Sequence, residues 1–262
     1  MYKSILILPD QHVQHNQNLR RFDALGNLID QRRPDYVVNM GDMGEFQCLY
    51  GISGKRSWTF KEETEIEVES DLCEISIAHN KLFGVYKKTC EKARKNRKKL
   101  KPLRRVLCYG NHDIRALLFY KFNQNKTNRK IDELFDPRDF YDEIYAYQVP
   151  VEIEGILFSH NFVNGTSTAS TVDTIAKLAA GSAVGAHSHK GECSLSYNAV
   201  GRPTFALQPG WFYDPEDPRP DWVGAQGGGS WWNGVTYLHG VDGSGYFDPE
   251  FIGINRLLKE YS

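Results

Sequence analysis

Long apolar runs are missing from this chain, and so are paired cysteines. No segment approaches the roughly 18 apolar residues that a membrane-spanning helix needs, and the first apolar stretch reaches Asp10 too early for a signal peptide. The five cysteines are odd in number, widely spaced and without a Cys-x-x-Cys pair, which argues against a disulfide framework and a thiolate zinc site. We therefore expect a cytoplasmic protein with free thiols and no membrane partner.

An excess of charge of one sign is also missing, because 32 basic and 33 acidic side chains leave a formal net charge of −1. This balance argues against a protein that holds nucleic acid by its overall charge, although it leaves local patches open. The length and the 40% share of hydrophobic residues allow a sizeable core. The sequence shows no internal repeat and no clear domain boundary, so residues 1–262 are expected to form a single domain. The sequence does not indicate the oligomeric state.

Three β-rich runs each end in a turn with polar residues, and their sequences are SILILPDQH, DYVVNMGD and RRVLCYGNHD. Between the first two, an amphipathic segment from about Asn18 to Arg32 predicts a helix. This β-α-β beginning would place the polar side chains at the carboxyl ends of strands. Further on, VPVEIEGILFSH predicts a hairpin that turns at Glu154 and Gly155 and ends on His160.

A long helical segment, as one helix or two, is predicted from Lys61 to about Arg97. Its apolar stripe includes His79, which favours a structural histidine over a metal ligand at that position. Acidic residues come early and basic residues late, as suits a helix dipole, but the Lys/Arg-rich stretch 87–105 is denser than the dipole needs. Because it directly precedes GNHD, a contact with a nucleic-acid backbone near the site competes with a solvated face.

Five predicted strand-end loops carry side chains that bind metal ions, and their sequences are PDQH, GDMGE, GNHD, FSHN and GAHSH. A His-x-His pair alone is weak evidence for a metal site. Five loops that all carry potential ligands are hard to explain by the needs of folding alone, so together they favour a functional site. Carboxylate, amide and imidazole groups together suit two divalent ions of the Mn, Fe, Zn or Ni type. Two ions roughly 3.5 to 4 Å apart can clamp a phosphate for in-line attack, so these loops predict phosphoester hydrolysis.

In order and residue type, the five loops resemble the motifs of the calcineurin-like metallophosphoesterase superfamily: D-x-H, G-D-x-x-D/E, G-N-H-D/E, a lone His and G-H-x-H. The resemblance extends over residues 10–189, although Ala186 stands where the family usually has glycine. It implies an α/β fold, the four-layer α/β/β/α sandwich of two mixed sheets, with a helical insertion at about residues 51–103 beside the mouth of the site. It also implies two divalent metal ions, with Mn preferred.

The resemblance further implies a role for each residue of the site. One ion would take Asp10, His12, Asp42 and His189, and the other would take Asp42, Asn111, His160 and His187. Asp42 would bridge the ions, and a hydroxide held between them would attack phosphorus in line. His112 would assist the leaving group as an acid or a cation, and Glu45 would orient it.

The substrate class follows from a departure within this resemblance. Protein Ser/Thr phosphatases continue the second motif as D-R-G, but here the chain runs GDMGEFQ, with no arginine after Asp42. GNHD, and the His-x-His pair followed by Lys190, are more similar to nucleases, nucleotidases and phosphodiesterases, in particular to small phosphoesterases encoded by bacteriophages, which act in the host cytoplasm. We therefore expect a phosphodiesterase acting on nucleic acid or a nucleotide. The alternatives are a phosphomonoesterase, acting on nucleotides or proteins, and a non-catalytic metal-binding scaffold.

A segment dense in Pro, Gly and Trp, residues 211–232, predicts a long loop. Its aromatic side chains would either anchor the loop in the core or stack on bases of a nucleic acid. They are Trp211, Phe212, Tyr213, Trp231 and Trp232.

Overall fold

The computed structural model describes residues 2–50, 60–164, 167–168, 171–197, 201–217, 223 and 231–262. The first nine residues of the predicted insertion, 51–59, therefore lie outside the described residues, as do residues 218–222 and 224–230 of the predicted long loop. The α-helices are α1 Arg20–Arg32, α2 Glu62–Lys95, α3 Asn111–Asn123, α4 Ile131–Leu134, α5 Val172–Ala179 and α6 Ile254–Tyr261. The strands are β1 Lys3–Leu8, β2 Tyr36–Asn39, β3 Arg104–Cys108, β4 Glu143–Tyr145, β5 Val151–Ile153, β6 Ile156–Ser159, β7 Val163–Asn164, β8 Ser167–Thr168, β9 Ala183–Gly185, β10 Gly191–Tyr197, β11 Pro203–Pro209, β12 Gly234–Val241 and β13 Asp248–Gly253.

Two mixed sheets form the centre of the fold. The first has six strands in the order β13-β12-β1-β2-β3-β4, and the second has five in the order β10-β11-β9-β6-β5. In the first sheet β1, β2, β3 and β4 run parallel, and in the second β6, β9 and β11 run parallel. The strands at the other positions pair antiparallel with their neighbours.

Alternation along the strands divides the buried side chains between two cores. In β1, Ile5 and Ile7 join an apolar core that also contains Phe158 of β6 and Leu207 of β11, so the two sheets pack face to face. Leu6, from the other face of β1, packs with buried side chains of α1, α2 and α6. A smaller cluster places α5 on the outer face of the second sheet. The layer order is therefore α/β/β/α, as predicted.

The hairpin predicted at Glu154 and Gly155 is confirmed. β5 and β6 pair antiparallel on either side of these two residues, whose φ angles are 51° and 76°. Positive φ at both central positions is the geometry of a two-residue turn that matches the twist of the strands. The turn delivers β6 so that its carboxyl end leads directly into His160.

The long helical segment forms one helix of 34 residues, α2, and His79 is structural, as predicted. The Nδ1–H of His79 donates to the carbonyl of Ile75 at 2.8 Å, and Nε2 lies 2.8 Å from the hydroxyl of Tyr141. Burial lowers the pKa of His79 to about 4, so the ring is neutral. None of the described helices, α2 included, is long and apolar enough to cross a membrane.

The basic stretch 87–105 lies at the opposite end of the first sheet from the strand-end loops, so its predicted place near the site is wrong. The carboxylate of Asp71, in the first half of α2, accepts hydrogen bonds from the backbone of His15 and Phe46 in those loops. The end of α2 at Lys95 lies roughly 36 Å farther along the helix axis, at 1.5 Å per residue. Arg104 begins β3, whose other end leads to the site. A nucleic-acid contact by this stretch stays a prediction.

Candidate metal centre

The five predicted loops meet at one edge of the sandwich because each follows a strand of a parallel set. Asp10 follows β1, Asp42 follows β2 and Asn111 follows β3, while His160 follows β6 and the His187/His189 pair follows β9. The carboxyl ends of parallel strands lie at the same edge of a sheet, and the two sheets are packed against each other. Side chains that are up to 179 residues apart in the sequence, between Asp10 and His189, are thereby brought together.

The first group of candidate ligands consists of Asp10, His12 and His189, all buried. The Nε2 of His189 lies 3.0 Å from Asp10 Oδ2 and 3.2 Å from the Nε2 of His12. Asp10 Oδ1 is buried and accepts no hydrogen bond from any described residue. A carboxylate oxygen left without a donor beside converging imidazole nitrogens fits a bound cation.

The second group consists of Asp42, His160 and His187, whose ligand atoms lie within 4.8 Å of one another. The Nδ1–H of His160 donates to the carbonyl of Met40 at 2.7 Å. This leaves Nε2 of the neutral ring with a lone pair, which faces Asn111 Oδ1 at 3.1 Å and Asp42 Oδ2 at 3.3 Å. Three acceptors then converge on one point, and only a proton or a metal ion can satisfy them.

The pKa of His160 reflects this arrangement. Burial lowers the pKa of His160, but the carboxylates of Asp42 and Asp10 outweigh burial and raise it to about 10. Burial likewise raises the pKa of Asp42, yet His160 and His112 hold it well below its ordinary value. The centre is therefore negative enough to retain a cation, and in the metal-free protein that cation is the proton on His160.

This pKa leads to a prediction for metal binding. Between pH 7 and pH 9 an incoming divalent ion must displace the His160 proton, so binding at this group should release about one proton and the apparent affinity should rise about tenfold per pH unit. The dependence should level off as the pH passes the pKa of about 10. Calorimetric titration with Mn²⁺ in buffers of different ionisation enthalpy measures both quantities. Binding without proton release and with pH-independent affinity would contradict the predicted role of His160.

Four of the eleven described non-glycine residues with a positive φ angle are predicted ligands. His12, Asp42, His187 and His189 have φ angles of 45°, 46°, 70° and 59°, in the left-handed region that L-residues other than glycine rarely adopt. Each such position costs about 1 to 3 kcal/mol and persists only where the surroundings impose it. Four strained residues among the seven predicted ligands indicate loops shaped for a site rather than for stability.

His112 lies beside both groups but is held differently from the prediction. Its Nδ1–H donates to the backbone carbonyl of Glu45 at 2.9 Å, while the Glu45 carboxylate lies with Oε2 2.5 Å from Nδ1 of His12. The backbone explains this, because Glu45 N–H donates to the carbonyl of Val13 at 3.0 Å and so ties Glu45 to the His12 loop. The carboxylate therefore orients a candidate ligand, and the carbonyl orients His112.

Burial lowers the pKa of His112 to about 4, so its ring is neutral in the metal-free protein. With Nδ1 protonated, Nε2 is the acceptor, and it lies 3.1 Å from the hydroxyl of Tyr50 and 3.9 Å from Asp42 Oδ2. Tyr50, at the end of a short 3₁₀ turn over Gln47–Leu49, was not predicted as part of the site. Tyr50 lies outside the five ligand-bearing motifs, so nothing in the sequence indicated that it would contact His112.

A sixth loop, after β11, also reaches the site. Trp211 pairs with Asp10 in an isolated β-bridge, and its ring stacks on His189 with centroids 5.2 Å apart. Trp211, Phe212 and Tyr213 are almost fully buried, so they anchor this loop and cannot stack on bases. Trp231 and Trp232 are half-buried, and for them base stacking stays a prediction. The loop after β11 reaches the site because β11 pairs parallel with β9. This pairing could not be predicted from the sequence, so the contact of Trp211 with the site was not predicted.

Comparison with known proteins adds little to this picture. No family model matches the chain, and no curated protein matches it either. One solved structure aligns over 96% of this chain and 99% of its own, with a TM-score of 0.42 and 12% identity. A likeness this distant carries no argument about fold or function, so the case for a function depends on the geometry of the centre.

Proposed function

We propose that this protein is a metal-dependent phosphoesterase with the calcineurin-like fold, acting on phosphodiesters in nucleic acid or nucleotides. The observation that carries the proposal is the set of acceptors that converge on one point in the second group. His160 Nε2, Asn111 Oδ1 and Asp42 Oδ2 face one another, with a second buried group of carboxylate and imidazoles beside them. The donor types suit two divalent ions of the Mn, Fe, Zn or Ni class.

When bound, such ions supply Lewis acidity to the phosphoryl oxygens and lower the pKa of water at the site. The residues that would hold them are Asp10, His12, Asp42, Asn111, His160, His187 and His189. The carboxylate of Glu45 and the carbonyl of Met40 each accept from the Nδ1–H of a ligand histidine and so direct its Nε2 into the centre.

His112 supplies the proton for the leaving group. An anionic phosphoester beside it would raise the pKa of His112 from its low value and favour a proton on Nε2. A water oxygen forms the new bond to phosphorus and gives up one proton to solvent, the bond to the leaving oxygen breaks, and that oxygen takes the proton from Nε2, which solvent then restores. The Glu45 carbonyl holds Nδ1 throughout, so the ring keeps Nε2 directed at the reacting atoms.

The proposal is tested with the purified protein in the presence of Mn²⁺. We expect turnover of bis-p-nitrophenyl phosphate, with about two ions bound per chain, loss of both after treatment with a chelator, and recovery of both when Mn²⁺ is returned. Faster turnover of p-nitrophenyl phosphate than of the diester would favour a phosphomonoesterase. Bound metal with no turnover of either ester, or of nucleotides and nucleic acids, would identify a non-catalytic scaffold and refute the proposal.

A further inference from the structure

An arginine lies beside His112 that the metal centre does not use. Arg115 follows His112 by three residues on α3, so the two side chains share one face of the helix. The guanidinium carbon of Arg115 lies over the ring of Tyr50, 4.6 Å from its centroid. The hydroxyl of the same tyrosine lies 3.1 Å from Nε2 of His112. The three side chains thus form one contiguous edge of the site.

Arg115 lacks an anionic partner within the described residues. Its Nη1 is buried there without a hydrogen-bond acceptor, although a buried guanidinium donor is normally paired. Arg21, the fully buried arginine of α1, shows the usual solution, because its Nη1 donates to Asp217 Oδ2 at 2.8 Å. A guanidinium that is left with a free donor beside a candidate catalytic histidine is suited to an anion brought by the substrate.

The contacts of these side chains indicate which part of the substrate this anion belongs to. His112 Nε2 lies 3.9 Å from Asp42 Oδ2, the Tyr50 hydroxyl lies 3.1 Å from that nitrogen, and Arg115 packs on the tyrosine ring. The scissile phosphate belongs at the carboxylates and metal ions, and the leaving oxygen belongs at His112. Because Arg115 contacts Tyr50, which in turn contacts His112, it lies on the leaving-group side of the site.

We infer that Arg115, packed on the ring of Tyr50, forms a subsite for a second phosphate, carried by the leaving group of the substrate. This inference rests on the proposed function and narrows it. The preferred substrate is a phosphodiester whose leaving nucleoside bears a further phosphate, as within an oligonucleotide. The planar fork of Arg115 recognises that phosphate, and the ring of Tyr50 supports the guanidinium beside His112.

The test compares the thymidine dinucleotide TpT with pTpT and TpTp, which carry one extra phosphate at the 5′ or the 3′ end. For the wild-type protein with Mn²⁺, kcat/KM should be about tenfold higher on the dinucleotide whose leaving nucleoside carries the phosphate, since a charge-assisted hydrogen bond is made only there. In Arg115→Gln this ratio should fall to about one, mainly through KM. Arg115→Lys, which keeps the charge but loses the fork, should give an intermediate ratio.

Arg256→Gln is the matched control, because this exposed arginine of α6 pairs with Glu250 and Glu260 and not with the site, and it should leave the ratio unchanged. A ratio unchanged in Arg115→Gln, with a wild-type melting temperature, would overturn the inference. If the wild type turns over no ester, the proposed function fails, and calorimetry still decides the subsite. Thymidine 3′,5′-bisphosphate should bind about tenfold more tightly to the wild type than to Arg115→Gln, and equal binding would reject the subsite.

Discussion

Replacing His112 by asparagine should lower kcat for phosphodiester hydrolysis by about 10²- to 10⁴-fold, the range found for general acids and bases, while leaving the metal content unchanged. His112 forms a third buried group with His12 and Glu45, but its Nδ1 is held by the Glu45 carbonyl, and it belongs to neither the Asp10 group nor the Asp42 group that we propose as the two ion sites. The substitution therefore removes proton transfer without removing a ligand. The measurements are steady-state kinetics with saturating Mn²⁺ and elemental analysis of the same samples.

His239→Asn is the matched control, since His239 is half exposed on β12 and contacts Glu250 rather than the centre. It should retain wild-type kcat. The pH profile adds a second readout, because the wild type should show an alkaline decline in kcat as the group that donates the proton ionises, and His112→Asn should lack it. Retention of more than about a tenth of the activity in His112→Asn, well outside the usual effect, would mean that another residue protonates the leaving group.

Replacing His187 or His189 by alanine should remove different ions. His189 lies with Asp10 and His12, whereas His187 lies with Asp42 and His160. Each variant should therefore fall from about two bound ions to about one, and activity should fall by more than about 100-fold, because loss of a ligand exceeds the effect of losing its outer partner. Elemental analysis and Mn²⁺ titration measure the stoichiometry.

Double substitutions tell the two halves apart. The double variant with Asp10→Ala and His189→Ala should bind about as many ions per chain as His189→Ala alone, because both residues belong to one group. Adding His160→Ala to His189→Ala should remove the remaining ion. Ser188→Ala is the control for the loop itself, since it changes the residue between the two histidines and should keep about two ions. Equal metal loss in Ser188→Ala would point to disruption of the loop instead of ligand removal.

Local signals in the sequence account for much of the fold. The hairpin at Glu154 and Gly155 was predictable because a two-residue turn has its own chemistry, and α2 because a stripe of period 3.6 persists over its whole length. The strand-end positions of Asp10, Asp42 and His160 followed from apolar runs that stop at polar turns. Each of these inferences needs only neighbours along the chain.

What the sequence could not supply depends on contacts between distant segments. The direction of the Glu45 carboxylate is set by a backbone hydrogen bond to Val13, 32 residues earlier in the sequence. The basic stretch precedes GNHD in sequence, yet β3 separates it from the site in space. Trp211 joins the centre only because β11 pairs beside β9. Proximity in sequence gave a wrong location for the basic stretch, and it gave no information about the Glu45 carboxylate or Trp211.

The scattering of the candidate ligands has a consequence for how the protein reaches its native state. Asp10 and Asp42 follow strands of the first sheet, while His160, His187 and His189 follow strands of the second. Neither sheet alone assembles the full set, so a partly folded chain would have little affinity for the proposed ions. Whatever free energy the ions contribute on binding is therefore added to the stability of the native state alone, in proportion to the logarithm of the free metal concentration. Metal supply would then govern the resistance of the folded protein to proteolysis and heat, independently of any reaction it performs.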